Sequence, residues 1–287
     1  MTNVGGATAT YTASVVAPAG ITVTVSPASF TIAPGATQNI TVTFARTTAT
    51  LNAYAQGSYT LNDGTHVVRS PFAVRPVILA APAEVTSTGS AINYPVSFGY
   101  TGAFGTQTRG LVAATTTAGT VSDDPGDDFG GLGAPGTTSF PVVIPTGTTL
   151  FRVALFDGES DGADDLDIYV YQGTTLIGSS GGTTAAERVT FTINPASAPI
   201  PLTVVVHGYQ TDGPDSNFTL FTWNVGTAAA GNMMVSTPAT ATQGETGQIG
   251  LTFSGLATHT HYLGTVAYHD TVNFLSITPT IVSVNTP

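Results

Sequence analysis

Ten of the chain's 17 acidic residues fall between positions 123 and 167. Asp157, Glu159, Asp161, Asp164, Asp165 and Asp167 form the denser group; Asp123, Asp124, Asp127 and Asp128 form another. Like charges this close repel, and a hard cation relieves the repulsion. Ca2+ takes about six to eight oxygens from carboxylates and from backbone carbonyls of Gly-rich loops. The run Asp157-Gly158-Glu159-Ser160-Asp161-Gly162-Ala163-Asp164 supplies both kinds. Asp157, Glu159 and Asp161 followed by Gly162 echo the opening of an EF-hand loop. However, Ile168 stands where that loop needs its closing Glu, and no helical pattern flanks it. Two readings stand: a calcium-stabilised β-loop with ligands among these six acids, or a solvated acidic loop that maintains solubility. The 123–128 run has turn chemistry, and reads as an exposed loop or a contributor to a shared calcium site.

Nucleophile and base patterns are present but lack their context. Gly178-Ser179-Ser180-Gly181-Gly182 fits G-x-S-x-G formally. That elbow needs a strand before it, a helix after it, and acid and His partners further along the chain. Here residues 183–187 lead into another strand pattern, so a Gly/Ser hairpin is expected. A subtilisin-type triad needs a His-Gly-Thr region and a Gly-Thr-Ser helix start. The chain offers His207-Gly208-Tyr209, at the end of a strand pattern, and no Gly-Thr-Ser. No catalytic residue is therefore expected within it. His259 and His261 have the spacing of one strand face, with His269 and Asp270 nearby; ordinary surface histidines fit that pattern better than a metal site. Phe218, Phe221 and Trp223 share one strand, with Phe221 and Trp223 on one face. Core packing is expected there rather than a sugar- or peptide-binding platform. Asn39-Ile40-Thr41 and Asn217-Phe218-Thr219 are glycosylation sequons by pattern only.

The elements that must position these residues are strands. Ile21-Thr22-Val23-Thr24-Val25, Asn39–Phe44 and Arg188–Ile193 alternate apolar and polar residues with period two. In Asp164–Tyr171 the alternation sets Asp165, Asp167 and Tyr169 on one face and Leu166, Ile168 and Val170 on the other. Ala33-Pro34-Gly35, Asn62-Asp63-Gly64 and Asp212-Gly213-Pro214 punctuate the strands as turns. Strands are expected near 11–16, 21–25, 29–32, 38–45, 57–61 and 66–74, the last two joined as a hairpin at Asp63-Gly64. Residues 226–231 read as a linker. Short strands with regular turns predict an all-β fold of β-sandwiches.

Composition narrows the function classes. The net charge of −11 argues against nucleic acid and anionic membrane surfaces as partners. No run reaches the ~20 apolar residues of a membrane helix, and no signal-peptide pattern opens the sequence. The start at Met1-Thr2-Asn3, running straight into strand-like sequence, reads as an excerpt from a longer chain. There is no Cys, so disulfides and thiolate metal sites are excluded. All six basic residues are Arg. A Lys-free surface suits life among proteases that cut after Lys, and equally suits a codon bias of the source.

The order of segments carries a family resemblance. Ile21–Phe44, through Val25-Ser26-Pro27, Phe30 and the Ala33-Pro34-Gly35 turn, resembles the fibronectin type III-like domain that follows the catalytic domain of many subtilisin-like proteases. Gly57-Ser58-Tyr59 and Val74-Arg75-Pro76-Val77 fit its closing strands. Phe151–Asp157, Asp164–Tyr171, Gly178-Ser179-Ser180, Val204–Tyr209 and Asn217–Trp223 resemble the bacterial pre-peptidase C-terminal (PPC) domain, a jelly-roll-like sandwich. Gly247–Leu256 and Tyr262–Tyr268 resemble a short terminal segment of similar bacterial proteases. The resemblance implies tandem β-sandwiches: fibronectin type III-like at 1–77, PPC-like at 78–226 and a short β domain at 227–287, docked on the second unit or cut short. It implies a secreted, non-catalytic C-terminal accessory region of a subtilisin-like serine peptidase that aids folding, secretion, stability or substrate engagement. The upstream catalytic domain would be its partner, with Ca2+ as a cofactor, since such domains sometimes bind it. Competing expectations are an extracellular structural protein that self-associates into filaments, and a module that binds extracellular protein or polysaccharide.

Overall fold

The computed structural model describes residues 1–270, 275 and 277–287. Almost everything described is strand or turn, in several sheets, as the alternating patterns require. The first sandwich uses β1 (Ala9–Val16), β2 (Ile21–Ser26), β3 (Ser29–Ile32), β4 (Thr41–Arg46), β5 (Ala55–Asn62) and β6 (Val67–Val74). One sheet runs β3-β1-β5-β6 and the other is the pair β2-β4. Ile21, Val23 and Val25 are buried while Thr22, Thr24 and Ser26 face out, as period two demands. The β5–β6 hairpin closes at Asp63-Gly64 as expected, and the structure makes it an Asx turn. Asn62 Oδ1 accepts from Gly64 N (2.7 Å) and Asp63 Oδ1 from Thr65 N (2.8 Å). β4 begins at Thr41, later than the pattern suggested, because Gln38 is paired instead with the chain start, Gln38 N donating to Met1 O (2.8 Å) and Met1 N to Gln38 O (2.9 Å).

The chain then builds β7 (Leu79–Ala80), β8 (Glu84–Ser87), β9 (Ile92–Phe98), β10 (Gly102–Ala103) and β11 (Gly105–Ala113). It departs into β12 (Thr115–Ser122), β13 (Thr137–Ile144), β14 (Leu150–Ala154), β15 (Asp165–Gln172), β16 (Thr175–Ser180), β17 (Arg188–Thr192), β18 (Ile200–Gln210) and β19 (Asp215–Val225). It returns as β20 (Met233–Ser236), β21 (Thr240–Ala241), β22 (Thr246–Phe253), β23 (His261–His269) and β24 (Thr280–Asn285). The sheets β12-β19-β14-β17 and β13-β18-β15-β16 make one sandwich from consecutive sequence. The sheets β20-β22-β9-β7 and β11-β23-β24-β8 make another from two separated stretches.

The expected boundaries at 77 and 226 therefore do not enclose one PPC-like unit with a separate 227–287 domain after it. Residues 79–113 and 233–285 share both sheets of a single host sandwich, and β12–β19 are inserted into it. Tyr94, Val96, Phe98 and Leu111 from the first stretch pack with Ile249, Leu251, Val266 and Val284 from the second. The linker-like 226–231 stretch is the return path. Gly110 N donates to Ala228 O (2.8 Å), and Ala230 N donates back to Gly110 O. Gly110 sits at a break in the β11–β23 register with φ of +75°, and a Cβ there would lie 2.9 Å from Leu263 O. Glycine alone meets both conditions easily.

Host and insert pack sheet against sheet. Leu150, Ala154, Phe221, Trp223 and Val225 of the insert meet Leu263, Val112 and Ile281 of the host. This explains why β14 is buried at all five positions: Phe151 and Val153 face the insert's own core, while Leu150 and Ala154 face the host. A strand covered on both sides reads as a continuous apolar run. The exception is Arg152, 4% exposed, which crosses the interface to Glu84 on β8 with paired bonds of 2.8 Å.

Candidate functional site

The acidic residues gather around one end and one outer face of the inserted sandwich. The loop from β14 to β15 begins with a single 3-10 turn, Asp157–Glu159. Asp157 is exposed there, and Glu159 Oε1 lies 3.8 Å from His261 Nε2. Asp161 accepts from Asn217 N (2.8 Å) and Asn217 Nδ2 (2.6 Å). Those bonds, the side-chain one foremost, hold its carboxyl below the usual range. Asp164 is buried and accepts from Ser216 Oγ (2.7 Å) and Asp212 N (3.1 Å). Asp123 accepts from Thr211 N (2.9 Å) and Thr211 Oγ1 (3.2 Å). Turns leave backbone N–H groups outside the sheet ladders, and these carboxylates satisfy them. The acids thus tie the 122–124, 157–164 and 211–217 segments together.

Asp165 and Asp167 lie past this end, on the outer face of β15, with Tyr169, as the alternation predicts. Successive partners Thr137, His207 and Asp167 cross the sheet side by side. Gly181 follows on the edge, where a Cβ would lie 2.7 Å from Asp167 Oδ1. His207 has no exposed surface. Its Nε2 is 3.0 Å from Asp124 Oδ2 and its Nδ1 3.5 Å from Asp167 Oδ2. The His207 bond, with support from Gly126 N, holds the Asp124 carboxyl below its ordinary range. Tyr169 OH donates to Asp167 Oδ2 (3.2 Å); burial and that neighbouring charge push the phenol up to about 12. Phe129 lies flat on Tyr169, ring centroids 3.5 Å apart, and edge-on to His207. The 123–136 loop is therefore a cover. Both ends are pinned to Gly208, by Asp124 N to Gly208 O (2.9 Å) and by Gly208 N to Gly136 O (3.0 Å).

The six acids expected as calcium ligands do not converge on one coordination sphere. Asp161 and Asp164 turn their oxygens to amides and a hydroxyl, Asp167 turns to His207 and Tyr169, and Asp157 stands apart. Among the described residues, no group of three or more His, Asp and Glu side chains is placed to hold a metal ion. Asp165 differs: burial first, then the charges of Asp167 and Glu187, raise its carboxyl above the usual range.

The G-x-S-x-G serine is kept from the histidine by strand period. Ser180 lies level with Ile168 and Val206, whose side chains fill the core. Asp167 and His207 lie one residue along, on the opposite face. Ser180 Oγ donates to Glu187. No helix follows; β16 ends at Ser180 and the chain turns toward β17. His259 sits in a turn with φ of +49°, before β23 begins, so it does not share a strand face with His261. His261 stacks on Phe156, ring centroids 4.1 Å apart. Phe221 and Trp223 pack into the host–insert interface, as the core reading expected.

The Asp124–His207–Asp167 arrangement was not legible in advance. The one sequence signal for it is Val204-Val205-Val206-His207-Gly208, a strand with no polar face despite its length, which marks a sheet covered on both sides. Chemically the cluster can hold a proton between two carboxylates, but it is sealed beneath Phe129.

Compared with known proteins, residues 1–74 match the family model of the fibronectin type-III domain. The first sandwich is thus fibronectin type III-like, a module that is typically non-catalytic. No curated protein matches the chain.

Proposed function

We propose that this chain is a non-catalytic accessory region of a secreted subtilisin-like serine peptidase, aiding the folding, export, stability or substrate engagement of a catalytic domain elsewhere in the parent protein. The observation that carries the reading is the order of modules: a fibronectin type III-like sandwich at 1–74, then a sandwich bearing the PPC-like strand block. That block runs over β14, β15, β16, β18, β19 and the adjoining loop residues, so on this reading the PPC-like part is the inserted sandwich alone. The separation of Ser180 from His207 across the sheet also supports a non-catalytic role.

The test is deletion of this region from the parent peptidase. Secreted yield or thermal half-life should fall, while kcat/KM per active site on a short peptide stays unchanged. Peptide hydrolysis by the isolated chain, lost in His207→Ala or Ser180→Ala, would overturn the reading.

A further inference from the structure

We propose that the chain cuts its own backbone once, at the Asp124–Pro125 bond, with the Asp124 carboxylate as the nucleophile. No other Asp-Pro pair occurs in the sequence. The chemistry of such a pair is intrinsic to it. A carboxylate can close a ring on its own carbonyl carbon, and the tertiary-amide nitrogen of proline is a basic leaving group. In a loose chain the side chain samples several rotamers and the reaction is slow. A fold speeds it by holding the reacting atoms together and by stabilising the charge that develops on the carbonyl oxygen.

Both aids are present here. Gly126 N donates to Asp124 Oδ1 (3.0 Å). The ring closed by that bond contains the Asp124–Pro125 bond, so the carboxylate is folded back along it. His207 Nε2, 3.0 Å from Oδ2, fixes the other oxygen from beneath the loop. Asp127 N donates to the Asp124 carbonyl oxygen (3.0 Å), as an oxyanion donor must. Asp127 itself is held at φ of +47°, a conformation unfavourable for a residue with a side chain, and a cut releases it. Residues 125–128 are exposed, so solvent acid reaches the leaving nitrogen. The charged groups around Asp124 are His207 from β18, Asp167 beyond it on β15, and Asp123, Asp127 and Asp128 of its own loop. The His207 bond dominates and keeps Asp124 ionised below the ordinary carboxylate range. The nucleophile therefore survives into the acid that supplies the proton.

The step balances with water alone. An Asp124 carboxylate oxygen bonds to the Asp124 carbonyl carbon, the bond from that carbon to Pro125 N breaks, and the nitrogen takes a proton from solvent. The cyclic anhydride left on Asp124 then adds water and opens to a free C-terminus. This happens once per chain and needs no other substrate. β11 and β12 lie before the cut and stay paired with β23 and β19 after it, so both pieces remain in one folded particle. The segment carrying Phe129 loses its Asp124 tether and keeps the Gly136 one, which loosens the cover over His207.

The full chain is incubated folded at about pH 4, denatured, and weighed by mass spectrometry. Fragments 1–124 and 125–287 should appear about tenfold or more faster than the same cut in a synthetic peptide of residues 120–130, which lacks the pre-organisation. Asp124→Asn should abolish the cut, and so should Pro125→Ala, an exposed change that leaves the fold intact. His207→Gln should move the acid limb of the rate profile to higher pH, a shift that a merely structural role would not produce. No fragments, a rate no greater than the peptide's, an undiminished cut in Pro125→Ala, or an unmoved acid limb in a folded His207→Gln protein would overturn the proposal.

Discussion

Arg152 shows what one side chain does here. Its guanidinium is buried between two sandwiches, donates Nε–H to Thr190 (2.8 Å) and spans to Glu84 with both terminal nitrogens. Arg188 adds a second cation 3.4 Å from the same carboxylate. Burial alone would raise the Glu84 carboxyl; the Arg152 bonds and charge outweigh it and hold it below the usual range. Glu84→Gln strands a buried cation, and should cost about 2–3 kcal/mol by urea denaturation. That is less than a fully buried pair because the carboxylate is partly open to water. The double variant Glu84→Leu, Arg152→Met should recover most of the loss. The depressed carboxyls of Glu84, Asp124 and Asp161 contribute stability above the unfolded carboxylate range, and it is lost as pH falls through their folded values. Asp165 has the opposite sign: its raised carboxyl destabilises the fold once ionised. Asp165→Asn should therefore raise Tm at neutral pH and make no difference in acid, where the wild-type group is already protonated. A lower Tm at pH 7 would contradict this.

Among the elements, the loops are where expectation and structure part most. The 157–164 and 123–128 segments look alike by composition, and each was open to calcium. Asp123, Asp161 and Asp164 instead accept from Thr211, Asn217 and Ser216, and Phe129 closes the second loop over His207. Composition showed that charge was concentrated, but could not show that Thr211, Ser216 and Asn217 would donate hydrogen bonds to it, because they come 52 to 88 residues later in the chain. With those oxygens engaged, millimolar Ca2+ and excess chelator should leave the melting temperature of the chain unchanged by calorimetry. A rise of several degrees with Ca2+, reversed by chelator, would mean that the loops rearrange around an ion.

For the whole molecule, the insertion makes the last sixty residues indispensable to residues 79–113. Truncation after Gly226 removes β20–β24 and with them Ile249, Leu251, Val266, Tyr268, Val282 and Val284 from the host core. The 1–226 fragment should bind a hydrophobic dye strongly and lose its cooperative melt for that part. The 114–226 fragment keeps its own core of Phe151, Leu166, Ile168 and Val206 and should fold, less stably for want of the host interface. A 1–226 fragment melting like the full chain would refute the shared core. By itself the sequence determined the all-β class, most strand positions, the faces of β2 and β15, the hairpin at Asp63-Gly64 and the absence of an elbow around Ser180. All of these follow from period two and local turn chemistry, which act over a few residues. The tertiary structure alone decided that the chain leaves one sandwich to build another and then returns, that the acids serve turns, and that His207 lies against Asp124 and Asp167. Strand pairing is made by backbone groups common to every residue, so an alternating pattern states that a strand exists without naming its neighbour, and sites formed between distant strands stay silent until the sheets close.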